Sequence, residues 1–305
     1  MKKKSVLVVG SANMDMVVTI DRFPNPGETL IGNKFGMYPG GKGANQAVAC
    51  AKLGAETVFI GKMGNDLFRD QLVANMEANG VIMNELLTDP MEPTGIALIY
   101  VNSSGQNEIV VVSGSNMKLS PENIQAKADL FKEAGIVLSQ LELALPTVQE
   151  AARITRKHRG VFILDPAPAV KLPQELLKNV DYLTPNDLEL AVLTGQKIHD
   201  LNSAGQAARA LIKAGVRNLI VTMGSQGALW INDSGVYHYP SQAVDVVDST
   251  AAGDAFNGAF AYSLAIGKPV PEAIGFANRV AAFSITRLGA QPSMPTLNDL
   301  QGITL

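Results

Sequence analysis

The 305-residue chain predicts an α/β fold: a doubly wound, mostly parallel sheet flanked by helices, carrying a small β-sheet lid. Two observations predict it. Short β-branched runs at 6–9, 57–61, 136–140, 161–165 and 218–222 alternate with helical patterns such as 143–158 and 203–214, the rhythm of strands joined by crossover helices. Two stretches break that rhythm, at about 15–37 and 95–112. There, strand-like runs face each other across the turn-forming residues 22–27 and 102–105, so lid strands are expected as insertions into one domain spanning 1–305. No internal repeat or low-complexity linker divides the chain.

The elements follow in order. Lys2, Lys3 and Lys4 read as a solvated terminus, and the apolar run Val6 to Val9 behind them is too short for a signal peptide, so it is the first buried strand. The lid segments alternate polar and apolar residues, which gives the small sheet one exposed face and one apolar face that needs a cover. A second subunit, making a homodimer through the lid, is the expected cover; packing onto the parent domain is the alternative. Apolar positions late in the chain, Ala281, Ala282 and Phe283 among them, are assigned to the core.

Composition narrows the partners. Apolar residues make up 47% and charged residues 17%, with a net charge of −3, and no basic cluster follows the opening lysines, so nucleic acid is excluded as a partner. No stretch reaches the ~18 apolar residues that span a bilayer, which excludes the membrane. Cys50 is the sole cysteine, so no internal disulfide forms and the cytoplasm is the expected location. His158, His199 and His238 lack partners at ligand spacing for zinc.

The most informative stretch for chemistry runs from Asp248 to Asp254 through Ser249, Thr250, Ala251, Ala252 and Gly253, and opens a long apolar helix. Small residues let a ligand approach the backbone, and the free amides of a helix N-terminus suit a phosphoryl group. Asp254 in that first turn is placed to take a proton from an attacking hydroxyl; simple complementation of the helix dipole is its alternative role. A second glycine-rich loop, 39–45, also leads into a helix, but Gly43 follows Lys42 where a P-loop needs Ser or Thr. Residues 10–15 lack the second and third glycines of a dinucleotide fingerprint, which disfavours a nicotinamide dehydrogenase.

Asn13 and Asp15 follow the first strand and Glu142 follows the run at 136–140, positions where α/β folds present ligand groups. These acceptors suit a neutral polyol, because carboxylates bind hydroxyls and repel phosphate. Turn chemistry for the first two, and capping or solvation for Glu142, are the alternatives. Residues 184–189, with Asn186 and Glu189, start a helix, and Thr222, Gly224, Ser225 and Gly227 bend between two strand patterns. Glycines there permit close contact with a nucleotide, or serve only as left-handed turn residues.

Taken together these residues resemble the ribokinase family of carbohydrate kinases, the superfamily that also holds adenosine kinase and the B-type phosphofructokinases. The resemblance covers nearly the whole chain. GGKGANQAVACAKLGA at 40–55 with MGND at 63–66 is similar to the first family signature and DSTAAGDAFNGAF at 248–260 to the second. NMD at 13–15, QLE at 140–142, DPAPA at 165–169, TPND at 184–187 and TRLGAQPS at 286–293 are similar to its ribose-phosphorylating members.

The resemblance implies ATP-dependent phosphorylation of D-ribose at O5. Asn13, Asp15, Gly41, Lys42, Asn45 and Glu142 would hold the sugar, with Asp254 as the base. It implies that the amides of Ala251, Ala252 and Gly253 form an anion hole, that Asn186 and 222–227 face ATP with Asn278 near the adenine, and that Glu189 acts on Mg2+ through water. It also implies a K+ site at Asp248, Thr250, Ser284, Arg287, Gly289 and Ser293, several through backbone carbonyls. One departure stands out: the superfamily's usual D-T-x-G-A-G-D has Ser249 and Ala251 here, and an alanine forced to positive φ costs roughly 1 kcal/mol. Ribokinase-like members resemble this chain in having Ala there. Another small neutral substrate (2-deoxyribose, fructose or a nucleoside) and a catalytically silent sugar-binding regulator are the alternatives.

Overall fold

The computed structural model describes residues 5–301; Lys2, Lys3 and Lys4 lie outside the described residues. Nine strands form the main sheet, in the order Gly235–Tyr239, Ala228–Asn232, Asn218–Thr222, Tyr182–Leu183, Val161–Leu164, Ile136–Ser139, Val6–Val9, Thr57–Ile60 and Val81–Ile82. All neighbours are parallel except at the edge formed by the hairpin of Ala228–Asn232 and Gly235–Tyr239. The chain enters in the middle, at Val6–Val9, winds outward to Val81–Ile82, and then returns to wind the other way from Ile136–Ser139. The order therefore reverses between two adjacent strands, and the crevice above their carboxyl ends is where such sheets bind ligands.

Because successive strand side chains point to opposite faces, the first strand feeds two cores. Val6 and Val8 pack toward the helices Lys42–Lys52, Ala252–Ala265 and Val270–Ser284, whereas Leu7 and Val9 pack toward Leu145–Lys157 and Leu201–Lys213. The first layer is built for close approach. Ala44, Ala47, Val48 and Ala49 of the Lys42–Lys52 helix meet Ala255, Ala259 and Phe256 of the Ala252–Ala265 helix, and a methyl group on Gly258 would lie 2.5 Å from Cβ of Ala49. That small-residue crossing brings the start of one helix against the start of the other, which is where the chemistry collects.

The lid is a separate four-stranded sheet, Lys34–Gly40, Asn13–Thr19, Gly95–Val101 and Asn107–Val112 in spatial order. Its two antiparallel pairs are joined by parallel pairing of Asn13–Thr19 with Gly95–Val101. The first returning strand begins at Lys34 and not at Glu28 as the sequence pattern suggests. Asn33 closes the connection instead: its N–H donates to the Thr19 carbonyl at 2.8 Å and its side chain to Asp21 Oδ1 at 2.8 Å, so pairing starts at Thr19 with Lys34. Ile109, Val110, Val111 and Val112 are each about half exposed, as are Phe35, Met37 and Tyr38. The parent domain does not cover that part of the lid. Among the described residues, no helix is long and apolar enough to cross a membrane.

Candidate active site

Two helix starts and the lid's first strand converge at the switch point. The Lys42–Lys52 helix begins after Gly41 at φ 87°, where a Cβ would meet the backbone of Ala12 and Asn13 at 2.6–2.7 Å. It has no capping side chain of its own. Glu142 caps it from across the sheet, its Oε2 accepting the Lys42 N–H at 3.0 Å and the Ser11 hydroxyl at 2.5 Å. The capping role foreseen for Glu142 as an alternative is thus real, and it places the carboxylate beside the lid. Asn13 is buried, its Oδ1 accepting from Asn116 Nδ2 at 2.8 Å. Asp15, two residues along the same strand, packs its carboxyl over Gly40, where any Cβ would collide. Burial, reinforced by Glu142 and Asp254, pushes the Asp15 pKa up to about 7.

The Ala252–Ala265 helix starts from Ala251 in the left-handed region, φ 59° and ψ 19°, with no side-chain cap. The departure at this position therefore carries the positive-φ strain expected of it. The geometry turns the first amides of the helix outward, where they lack intrahelical acceptors; Ala252 N–H has only a 3.3 Å turn bond to Ser249. Asp254 is buried in the first turn, and both of its oxygens are held: Oδ2 accepts from Asn45 Nδ2 at 2.9 Å and Oδ1 from Gln46 Nε2 at 2.9 Å. Burial raises its pKa, opposed by the charge of Lys42 and by the Asn45 and Gln46 hydrogen bonds.

Two cavities meet at this helix start. The larger, about 680 Å3, is lined by Asn186, Thr222, Gly224, Ser225, Gly227 and Asn278, all foreseen on the nucleotide side. That volume suits a nucleotide. Asn278 is positioned by donating to the Tyr239 carbonyl at 3.0 Å. The sequence reading missed the connection after the last main-sheet strand, Ser241, Val244 and Val246 included, which carries no helix or strand period. Ala281 and Ala282, assigned to the core, also line this cavity beside Phe256 and Ile285: Ala282 is buried, Ala281 packs against the core cluster, and Phe283 is buried in it as expected. This stretch of the Val270–Ser284 helix packs on the core and looks into the cleft at once.

The smaller cavity, about 180 Å3, shares Asn186, Thr222, Ser249, Ala252 and Gly253 with the larger and adds Lys42, Asp165, Glu189, Asp254 and Asn257. Burial alone would discharge Lys42, but the carboxylates of Asp254, Asp165, Glu142 and Glu189 keep the ammonium and hold its pKa above the ordinary lysine value. Asn186 caps the helix Asp187–Thr194 in a reciprocal box: Glu189 N–H donates to Asn186 Oδ1 at 2.7 Å and Asn186 N–H to Glu189 Oε2 at 2.8 Å. Burial raises the Glu189 pKa. Asp165 and Asn257 were not singled out as site residues beforehand; Asp165 directly follows an apolar strand and Asn257 lies within an apolar helix, and only the fold brings them together.

The remaining foreseen residues cluster beside the Ala252 helix. Asp248 Oδ1 accepts from Thr250 N–H at 2.9 Å and from its hydroxyl at 2.6 Å, and Oδ2 accepts from Gly289 N–H at 2.8 Å. Ser284 and Ser293 turn their hydroxyls onto the Ala281 and Ala290 carbonyls at 2.9 and 2.8 Å. Arg287 lies over the Phe283 ring at 4.3 Å and within 3.7 Å of Asp299. Asp248 thus ties the loop before the helix to the segment at 284–293.

A kinase-like division of labour, with a nucleotide-sized cleft, a small charged cavity and a carboxylate between them, agrees with the sequence comparisons. Residues 3–297 match the pfkB family of carbohydrate kinases, and the chain belongs to that family. It is 41% identical to the ribokinase of Bacillus subtilis over 98% of both chains and 38% identical to the deoxyribokinase of Salmonella typhi over 96% of both. The structure of Arabidopsis thaliana ribokinase complexed with ribose and ATP superposes with a TM-score of 0.91 at 36% identity, covering 96% of each chain. The chain spans 55% of the length of the bifunctional ribokinase/ribose-5-phosphate isomerase A of Fructilactobacillus sanfranciscensis, at 39% identity. The fold class foreseen from the strand rhythm and the membership of a sugar-kinase family are both borne out.

Proposed function

We propose that this protein transfers the γ-phosphoryl group of ATP to O5 of D-ribose, with Asp254 as the general base. The observation that carries the reading is a buried carboxylate, held at both oxygens, in the first turn of an uncapped helix where two cavities meet. The nucleotide occupies the larger cavity with its adenine toward Asn278, Ala281 and Ala282, and its phosphates cross the shared rim to the Ala251–Gly253 amides. Ribose lies under the lid, its hydroxyls donating to Asp15, Glu142 and Asn13 Oδ1, with Gly41 allowing close approach and Lys42 and Asn45 beside Asp254. Asp254 takes the O5 proton as O5 attacks phosphorus in line and the bond to the β-phosphate oxygen breaks, releasing ADP. The amides and Lys42 receive the charge that develops on the transferring group.

Mg2+ would supply positive charge that neutralises the phosphates during transfer. The oxygen-rich small cavity fits such a hard cation, and Glu189, with one oxygen engaged by Asn186 N–H, would hold it through water. K+ would be held by Asp248, Thr250, Ser284, Arg287, Gly289 and Ser293, several of them through main-chain carbonyls. The Asp248 carboxylate is engaged by Thr250 and Gly289, and the Arg287 guanidinium is turned to Phe283 and Asp299, so the contribution of Arg287 would be its carbonyl.

The half-exposed apolar lid strands support a homodimer through the lid, for which sedimentation equilibrium should give twice the 32.3 kDa chain mass. A monomer at micromolar concentration would contradict it. Cytoplasmic location belongs to the same reading. For the substrate, ADP release with Mg-ATP should be fastest with ribose among ribose, 2-deoxyribose, fructose, fructose 6-phosphate and adenosine, and K+ should enhance it. Similarity to a deoxyribokinase favours 2-deoxyribose as the second reading. A clear preference for it would move the substrate assignment and leave Asp254 in place.

A further inference from the structure

Gln46 lines neither cavity, yet it is fully buried and its amide is used at both ends. Nε2 donates to Asp254 Oδ1 at 2.9 Å and to Asp165 Oδ2 at 2.7 Å, while Oε1 accepts from Gln140 Nε2 at 2.6 Å. These contacts decide which way the amide points: turned over, Gln46 would set its carbonyl oxygen against two carboxylates and its NH2 group against the Gln140 donor. Asn45 holds the other oxygen of Asp254 and is itself fixed by Gln291, whose Nε2 donates to Asn45 Oδ1 at 3.0 Å. Asp254 is thus gripped from two successive residues of one helix, each oriented by a further amide.

We infer that Gln46 is a positioning residue for the phosphoryl-transfer step, its amide fixing the Asp254 carboxylate in the orientation that faces the attacking hydroxyl. The inference rests on Asp254 being the base. Three physical consequences follow. The carboxylate has no freedom to rotate its Oδ1 away, so little reorganisation precedes proton transfer. The hydrogen bond favours the ionised form, against burial. Finally, the same NH2 group ties Asp254 to Asp165, so the two buried acids are arranged about one donor pair and do not approach each other without it. The charged groups acting on Asp254 or on these partners are Lys42, Glu142, Asp15 and Glu189, whereas Gln46 and Asn45 are neutral donors.

The test compares Gln46→Met and Gln46→Glu with the unaltered enzyme in ADP release across pH 5.5–9, with folding checked by thermal melting and Asp254→Asn as reference. Losing one hydrogen bond to a charged group should lower kcat roughly 10- to 100-fold. KM for ribose should stay within about threefold, because Gln46 does not reach the sugar. The acidic limb of the kcat profile should move to higher pH in both variants: Gln46→Met removes the donor, and Gln46→Glu replaces it with a group that repels Asp254 when ionised. A merely structural role would lower the amount of active enzyme without moving that limb. If either variant folds and keeps the original kcat and acidic limb, Gln46 does not position the base. Should Asp254→Asn itself turn over normally, the base assignment is what fails; should Asp254→Asn be inactive while the Gln46 variants are unchanged, only the Gln46 inference falls.

Discussion

Asp254→Asn is expected to lower kcat by roughly 100-fold or more while KM for ribose shifts little. Asparagine keeps the shape of the side chain and its place in the first turn of the helix. It cannot take the O5 proton, and its NH2 group would face the donor of either Asn45 or Gln46, so one hydrogen bond becomes a clash of donors. Sugar binding should be spared, because it is assigned here to Asp15, Glu142 and Asn13. A single-turnover experiment locates the loss: the bound substrates should persist and the chemical step should slow. Normal turnover would mean that O5 loses its proton elsewhere, to bulk water or to another carboxylate of the cluster.

The second large effect is at Asp15. Asp15→Asn should raise KM for ribose by roughly 10- to 100-fold, the worth of hydrogen bonds to a charged acceptor. The same change should stabilise the free protein at pH 8. The sign follows from its folded-state pKa of about 7, raised by burial and by Glu142 and Asp254. A buried carboxyl with a raised value is most favourable when protonated, so its stabilising contribution is complete below the ordinary aspartate range and is lost as pH rises through 7. The variant escapes that loss. Its melting temperature should exceed the parent's at pH 8 by more than at pH 4, and the parent's ribose KM should rise as pH falls below about 7, where the acceptor is protonated. Equal melting temperatures at both pH values, or a KM that ignores pH in the parent, would remove Asp15 from the sugar site. Binding and stability are opposed at this residue, as expected where a charged group is buried for function.

Much of this site was legible from residues alone, and the reasons differ by element. The main-sheet strands announce themselves as β-branched runs because both faces of a parallel sheet are buried, and all five runs noted became strands. The Asp248–Asp254 segment was readable because an all-small stretch ending in a carboxylate at a helix start has few structural uses. Local chemistry overrode pattern at 28–33, where Leu30 and Ile31 look like strand residues but Asn33 and Gly32 close a turn before pairing begins. Ala282 is buried as expected and Ala281 packs on the core, but their share in the cleft wall was hidden, because an apolar wall facing a cleft and one facing a sheet have the same period. Gln46 was invisible for another reason. Its importance lies in a partner 208 residues away, reached only because Gly258 lets two helices cross at close range.

The central claim is that a phosphoryl group leaves ATP and arrives on O5 of ribose at this helix start. The most direct test is 31P NMR of the reaction of the protein with Mg-ATP and D-ribose, with and without K+, resolving the phosphate monoester by its coupling to the sugar protons. The account predicts ADP and a single monoester at the primary O5 position in equal amounts, formed faster with K+. Phosphate on a different hydroxyl, or ADP accompanied only by inorganic phosphate, would contradict it.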